Sequence, residues 1–242
     1  MLTENNQTRD YPLGTRLLIA CGAIGPPLFI LVFLIEGATR PGYSAWRDFV
    51  SDLSLSDQGW MQDTNFIVCG LFSLAFTVGL RLVLRTGKSS VGGPLLLALF
   101  SLGLMVAGLF PTDPNLGYPP GSPTNVHQTL HGTVHGVSGL VVFFSIGLAS
   151  LVMARRFAGD PHWKGWAAYS ILTGLVVIVC FVATSATSVL DMTGVLPNAP
   201  TGLIQRIGII VGWGWIALLA LRLLSQMRSS VSSARSAVEA EM

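Results

Sequence analysis

Apolar residues in this chain come in long runs, not in the two-residue alternation of a half-buried strand. Six stretches qualify as spans, approximately 17–35, 66–84, 91–110, 134–154, 166–189 and 203–224. Each approaches the roughly 20 residues needed to cross about 30 Å of hydrocarbon at about 1.5 Å per residue. In lipid such segments must be helices, because a lone strand leaves its backbone groups unpaired, and the alternating pattern of a membrane barrel is missing. The pattern predicts an all-α polytopic bundle of six transmembrane helices. The first stretch is too long for a secretory signal, and Glu36-Gly37-Ala38-Thr39-Arg40 offers no small-residue cleavage site. Pro26-Pro27 predicts a bend within it.

Composition agrees with lipid as the solvent. Of 242 residues 51% are hydrophobic and only 11% charged, against about 25% charged in soluble domains. The polar gaps are too short for a separate soluble domain. The chain reads as a tail over 1–15, a membrane domain over 16–225 and a Ser-rich tail over 226–242, neither tail having an apolar face long enough to pack. A net charge of +2, with its basic residues dispersed, excludes nucleic acid as the expected partner and leaves membrane lipids. Eleven of the fourteen Lys and Arg residues fall in alternate gaps and the two tails, leaving Arg40, Arg47 and Arg206 at the other end. Positive residues are retained inside, so both termini are expected in the cytoplasm. Cys21, Cys69 and Cys180 lie in apolar segments without CxxC spacing and read as small core residues.

Polar groups entering the membrane at the outer end are costly and therefore mark the candidate site. The first outer loop carries Tyr43, Arg47, Asp48, Ser51 and Asp52; Asp113 follows the third span, Asp191 ends the fifth, and Arg206 opens the sixth. Asp48 and Asp52 would share a face if that piece is helical. Arg206 needs an anionic partner, either Asp191 or Asp113, or a lipid phosphate or carboxylate substrate. Arg206, Asp48, Tyr43 and Ser51 form the expected ligand-binding set. His127, His131 and His135 are spaced by four and would fall within an 80° wedge of one helix. Their expected role is hydrogen bonding to Asp113 or Asp191. The sharper alternative is zinc on two of them, since the outer pair is about 12 Å apart along a helix, with Asp52, Asp113 or Asp191 as ligand or catalytic base. Haem is disfavoured, because His162, the remaining histidine, lies in a loop at the other end. Stripes of small polar residues, namely Asn65, Cys69, Ser73 and Thr77 in span two, Ser138 and Ser145 in span four, and Ser170, Thr173, Thr184 and Ser188 in span five, are expected to face the bundle interior. The pairs Gly132/Gly136 and Gly208/Gly212 suit close helix packing, including a helix-mediated homo-oligomer.

The segments Pro41-Gly42-Tyr43-Ser44 and Val50-Ser51-Asp52-Leu53, the Phe110-Pro111-Thr112-Asp113 end of span three and Leu130-His131-Gly132 together resemble domain-of-unknown-function family 998. The likeness covers 17–224. It implies six spans in the plasma membrane of a bacterium and no defined reaction. A more distant similarity is to membrane hydrolases of the ceramidase and progestin-receptor type, which use histidines and an aspartate around zinc. Those proteins draw their histidines from several helices, whereas here the outer histidines share one. The leading expectation is a polar outward vestibule that binds or moves a lipid or small molecule. The alternatives are a metal-dependent lipid hydrolase and a structural or assembly subunit.

Overall fold

A computed structural model describes residues 11–122 and 127–240, with side chains through Met227. Among these residues the chain forms six long helices: α1 Leu13–Thr39, α2 Trp60–Val83, α3 Gly92–Leu109, α4 Leu130–Phe157, α5 Trp166–Met192 and α6 Thr201–Ala240. All six are long and apolar enough to cross a membrane. No strand is present among the described residues; Asn115 and Tyr118 form an isolated bridge. Short 3-10 helices at Val50–Ser54 and Pro161–Trp163 complete the secondary structure.

Apart from α3, which stays within its apolar run, the helices extend past the runs because polar residues also complete helical turns at the membrane edge. α2 begins at Trp60, six residues before the apolar stretch, and brings Gln62, Asp63 and Asn65 onto the helix. α1 runs unbroken through Pro26 and Pro27. α6 runs on to Ala240, through the Ser-rich segment expected to lack packing. Residues 1–10, 241 and 242, which include most of the expected amino-terminal tail, lie outside the described residues.

Each helix packs against its neighbours in sequence, and α1 packs against α6, so the bundle closes as a ring. α4 and α6 meet only slightly, with α5 wedged between them. The core is aromatic. Trp213 sits at its middle, with Phe29 stacked at 5.6 Å, Phe100 edge-on at 4.8 Å and Phe143 at 6.1 Å. The polar stripes turn inward as expected: Asn65, Cys69, Ser73 and Thr77 are all buried, as are Ser138, Ser145, Ser170, Thr173, Thr184 and Ser188. Ser170 Oγ accepts from Trp215 Nε1 at 2.9 Å, and the hydroxyls of Thr77 and Ser101 donate to carbonyls one turn back. Such bonds satisfy hydroxyls where water is absent.

The two glycine pairs act differently. Gly208 leaves room for Cys180, and Gly212 for Val177 and Ile146, so the second pair seats α6 on its neighbours. Gly132 instead makes room for the carboxylate of Asp113, and Gly136 faces open space. The first pair therefore forms no seam between helices in this chain.

Candidate functional site

One end of the ring is closed by the loop joining α1 to α2. Its 3-10 turn Val50–Ser54 lies against α1, α2 and α6 as a plug, with Val50 and Leu53 buried in the core. Asp48 and Asp52 are not on one α-helical face. Asp48 Oδ2 accepts from Ser44 N–H at 2.7 Å and Asp52 Oδ2 from Phe49 N–H at 2.8 Å, so each carboxylate closes its own turn. Burial pushes both acids above the usual carboxylate range, Asp52 most strongly, while the backbone donors work in the opposite direction.

Arg206 fastens this plug to α6. Its Nη1 donates to the carbonyls of Ala45, Asp48 and Gly202 at 2.9, 3.0 and 2.9 Å, and its Nη2 donates to the Tyr43 hydroxyl. Its guanidinium lies 5.4 Å from the Tyr43 ring centroid and 5.9 Å from that of Phe33. Tyr43 passes the bond on, donating to Phe49 O at 2.8 Å. Burial raises its phenol above the usual range, against the opposing pull of Arg206, which keeps the donating proton in place. The expected contact of Arg206 with Asp191 or Asp113 is replaced by these carbonyls and rings. Asp191 is taken by Arg47, whose Nε and Nη2 reach its two oxygens at 2.7 and 2.8 Å in a bidentate pair.

Further contacts tie the loop down. Gln205 Oε1 accepts from Val50 N–H at 2.7 Å, Trp46 Nε1 donates to Asn198 O at 3.0 Å, and Leu203 N–H donates to Trp46 O at 3.1 Å. Gly202 has no room for a Cβ, which would overlap the Asp48 carbonyl. A second loop covers the first, with Tyr118 edge-on to Tyr43 at 5.4 Å and Pro120 against Gly42.

The histidines do not converge. His127 precedes α4 and is exposed, so it does not share a helical face with the other two. His131 is exposed and packs edge-on against Phe110 at 5.4 Å. His135 is buried, and its Nδ1 lies 2.8 Å from Phe110 O and 3.2 Å from Ala107 O. Two carbonyl acceptors require that Nδ1 carry a proton. These bonds replace the expected ones to Asp113 or Asp191. Asp113 instead holds Thr129, the N-cap residue of α4, accepting from Thr129 N–H and Thr129 Oγ at 2.7 Å each. Thr129 Oγ in turn accepts from Gly132 N–H at 3.1 Å. An acid belongs at this helix end because the first-turn N–H groups lack helical partners. Among the described residues no three or more His, Cys, Asp or Glu side chains are grouped so as to hold a metal ion. The carboxylates that could have completed a two-histidine site are engaged elsewhere: Asp113 at the α4 start, Asp191 with Arg47, and Asp52 within the plug.

Beneath the plug lies a chamber of about 50 Å³. Val50 and Ser51 form its roof, Phe29, Phe66 and Leu104 part of its wall, and His135, Gln205 and Trp213 border it as well. No charged side chain lines it. Trp213 is 2% exposed, yet its Nε1 has no hydrogen-bond partner. Gly139 also borders the space, and a Cβ there would meet nothing within 4 Å. The expected set contributes Ser51 to this chamber, whereas Arg206, Asp48 and Tyr43 hold its cover. Gln205 and Trp213 were not among the expected site residues, since neither belongs to a polar stripe or a charged pair. Glu36 is similar: buried in α1, it lies 3.5 Å from Arg40 Nη2.

A family model described as a protein of unknown function, DUF998, matches residues 23–222. No curated protein and no solved structure matches the chain.

Proposed function

The chain belongs to the DUF998 family of proteins of unknown function, and from that premise we propose a multi-pass membrane protein that binds a small uncharged molecule beneath a fastened cover. The carrying observation is Trp213 Nε1, a buried donor without a partner beside a chamber lined mostly by apolar groups, with Ser51, His135 and Gln205 among them. A buried unpaired donor costs on the order of 1–3 kcal/mol, which a ligand acceptor would recover. His135 and Gln205 place further polar groups at the same space. The ligand class is therefore an uncharged molecule with one polar end and an apolar body.

At about 50 Å³ the chamber holds one or two waters when the plug is seated, a water occupying about 30 Å³ of liquid. A larger ligand enters when the 3-10 turn lifts, because Val50 and Ser51 are the roof. Arg206, Tyr43 and Gln205 set how readily it lifts. The same movement would let the protein pass its ligand to the outer side, which joins binding and transport in one device.

The test uses Gly139→Leu, which fills the chamber from an open position. Protein purified in a neutral detergent is extracted with solvent, and released compounds are compared by mass spectrometry. An uncharged compound carried by the wild type and lost from Gly139→Leu, at an unchanged thermal transition, supports the reading. Equal recovery from both proteins, or none from the wild type, overturns it.

A further inference from the structure

The opposite end of the ring carries a larger groove, of about 580 Å³, between the start of α5 and the inner half of α6. Lys164 and Arg222 lie along it with Trp166 and Tyr169, and Leu218 and Leu221 continue it along the apolar face of α6. No acidic side chain lines it. The nearby acid, Asp160, is occupied by His162, with Nδ1 at 3.0 Å from Oδ1 and the His162 N–H at 2.9 Å.

Arg222 is held in place before any ligand arrives. Its Nη2 donates to His162 O at 2.7 Å, and its guanidinium lies 5.7 Å from the Trp163 ring centroid. Trp163 is itself stacked on Phe157 at 4.5 Å. A fixed guanidinium spends little side-chain entropy on binding an anion, and its planar fork suits phosphate oxygens. Lys164 is exposed and adds a second cation. Trp and Tyr side chains favour the level of the headgroups. Leu218 and Leu221, 48% and 52% exposed, face the place where an acyl chain would run.

We propose that this groove binds one anionic glycerophospholipid, its phosphate between Lys164 and Arg222 and one acyl chain along Leu218 and Leu221. Basic pockets between helices are suited to anionic headgroups in this way. The site lies at the opposite end from the capped chamber and does not depend on its ligand.

Native mass spectrometry of the full chain, released from neutral detergent with added dioleoyl phosphatidylglycerol, dioleoyl phosphatidylcholine or inorganic phosphate, tests it. One phosphatidylglycerol should be retained in preference to phosphatidylcholine, and inorganic phosphate should not displace it. Lys164→Glu, at an exposed position, should weaken retention about tenfold or more, from the loss of one cation and the gain of a repelling charge. Leu221→Trp, which keeps the charges and crowds the chain path, should weaken it as well. Equal retention of the two lipids, displacement by free phosphate, or unchanged retention in both variants would overturn the assignment.

Discussion

The buried guanidinium of Arg206 shows how a charge can be accommodated without a carboxylate in contact. Three carbonyls, a phenol and two aromatic faces share it, and they do so in a planar geometry that an ammonium cannot reproduce. Arg206→Met should lower unfolding stability by at least about 2 kcal/mol, since orphaned buried carbonyls each cost about 1–3 kcal/mol. Arg206→Lys should recover little of it; thermal unfolding in detergent reads both, and full rescue by lysine would contradict the planar requirement. Asp52 gives a pH signature. Burial raises its folded pKa, so the fold binds its proton more tightly than the unfolded chain does. This contribution is complete below the unfolded value of about 3.9 and is lost as pH rises through the folded value. Thermal stability should therefore decline as pH rises above about 4, and Asp52→Asn, which retains an oxygen for Phe49 N–H, should flatten that decline. A pH series of unfolding temperatures on both proteins decides it.

Among the elements, α4 illustrates how an end is specified. The Gly132 position looks like half of a packing motif, but its missing side chain admits Asp113, and Asp113 orders Thr129 at the helix start. Asp113→Ala should destabilise by about 1 kcal/mol, the usual net worth of an intramolecular hydrogen bond, because Thr129 loses the carboxylate that orients it. Gly132→Ala should act at the same place, because the added methyl overlaps the carboxylate. Hydrogen exchange should report both as faster opening of the first turn of α4, with the distal turns unaffected. Faster exchange throughout α4 would instead indicate a packing role. The plug is a comparable case. Its apolar Val50 and Leu53 belong to the core, while its acids close local turns, so this loop is an integral part of the bundle.

For the whole molecule, the outward faces carry exposed Leu31, Leu71, Leu102, Leu140, Leu172 and Val179, a surface that only lipid solvates without cost. The six-span count brings both ends of the helical ring to one side. The bias of Lys and Arg toward that side predicts cytoplasmic termini. Fluorescent-protein fusions at either terminus should fluoresce, and alkaline phosphatase inserted at Asp57 should be active outside. The reverse pattern would contradict that orientation.

What the sequence by itself determined is the class of solvent, the number and approximate limits of the helices, and the inward turn of their polar stripes. These properties follow from hydrocarbon thickness and helical period, both of which act along the chain. Tertiary structure decided which of the arginines Arg40, Arg47 and Arg206 meets which acid, that His127 leaves the helix while His135 turns to carbonyls, and that Gln205 and Trp213 border a chamber. Those choices depend on distances between segments up to 163 residues apart, as Tyr43 and Arg206 are. Spacing within one helix holds no record of them, because a polar side chain takes whichever partner ring closure brings within about 3 Å.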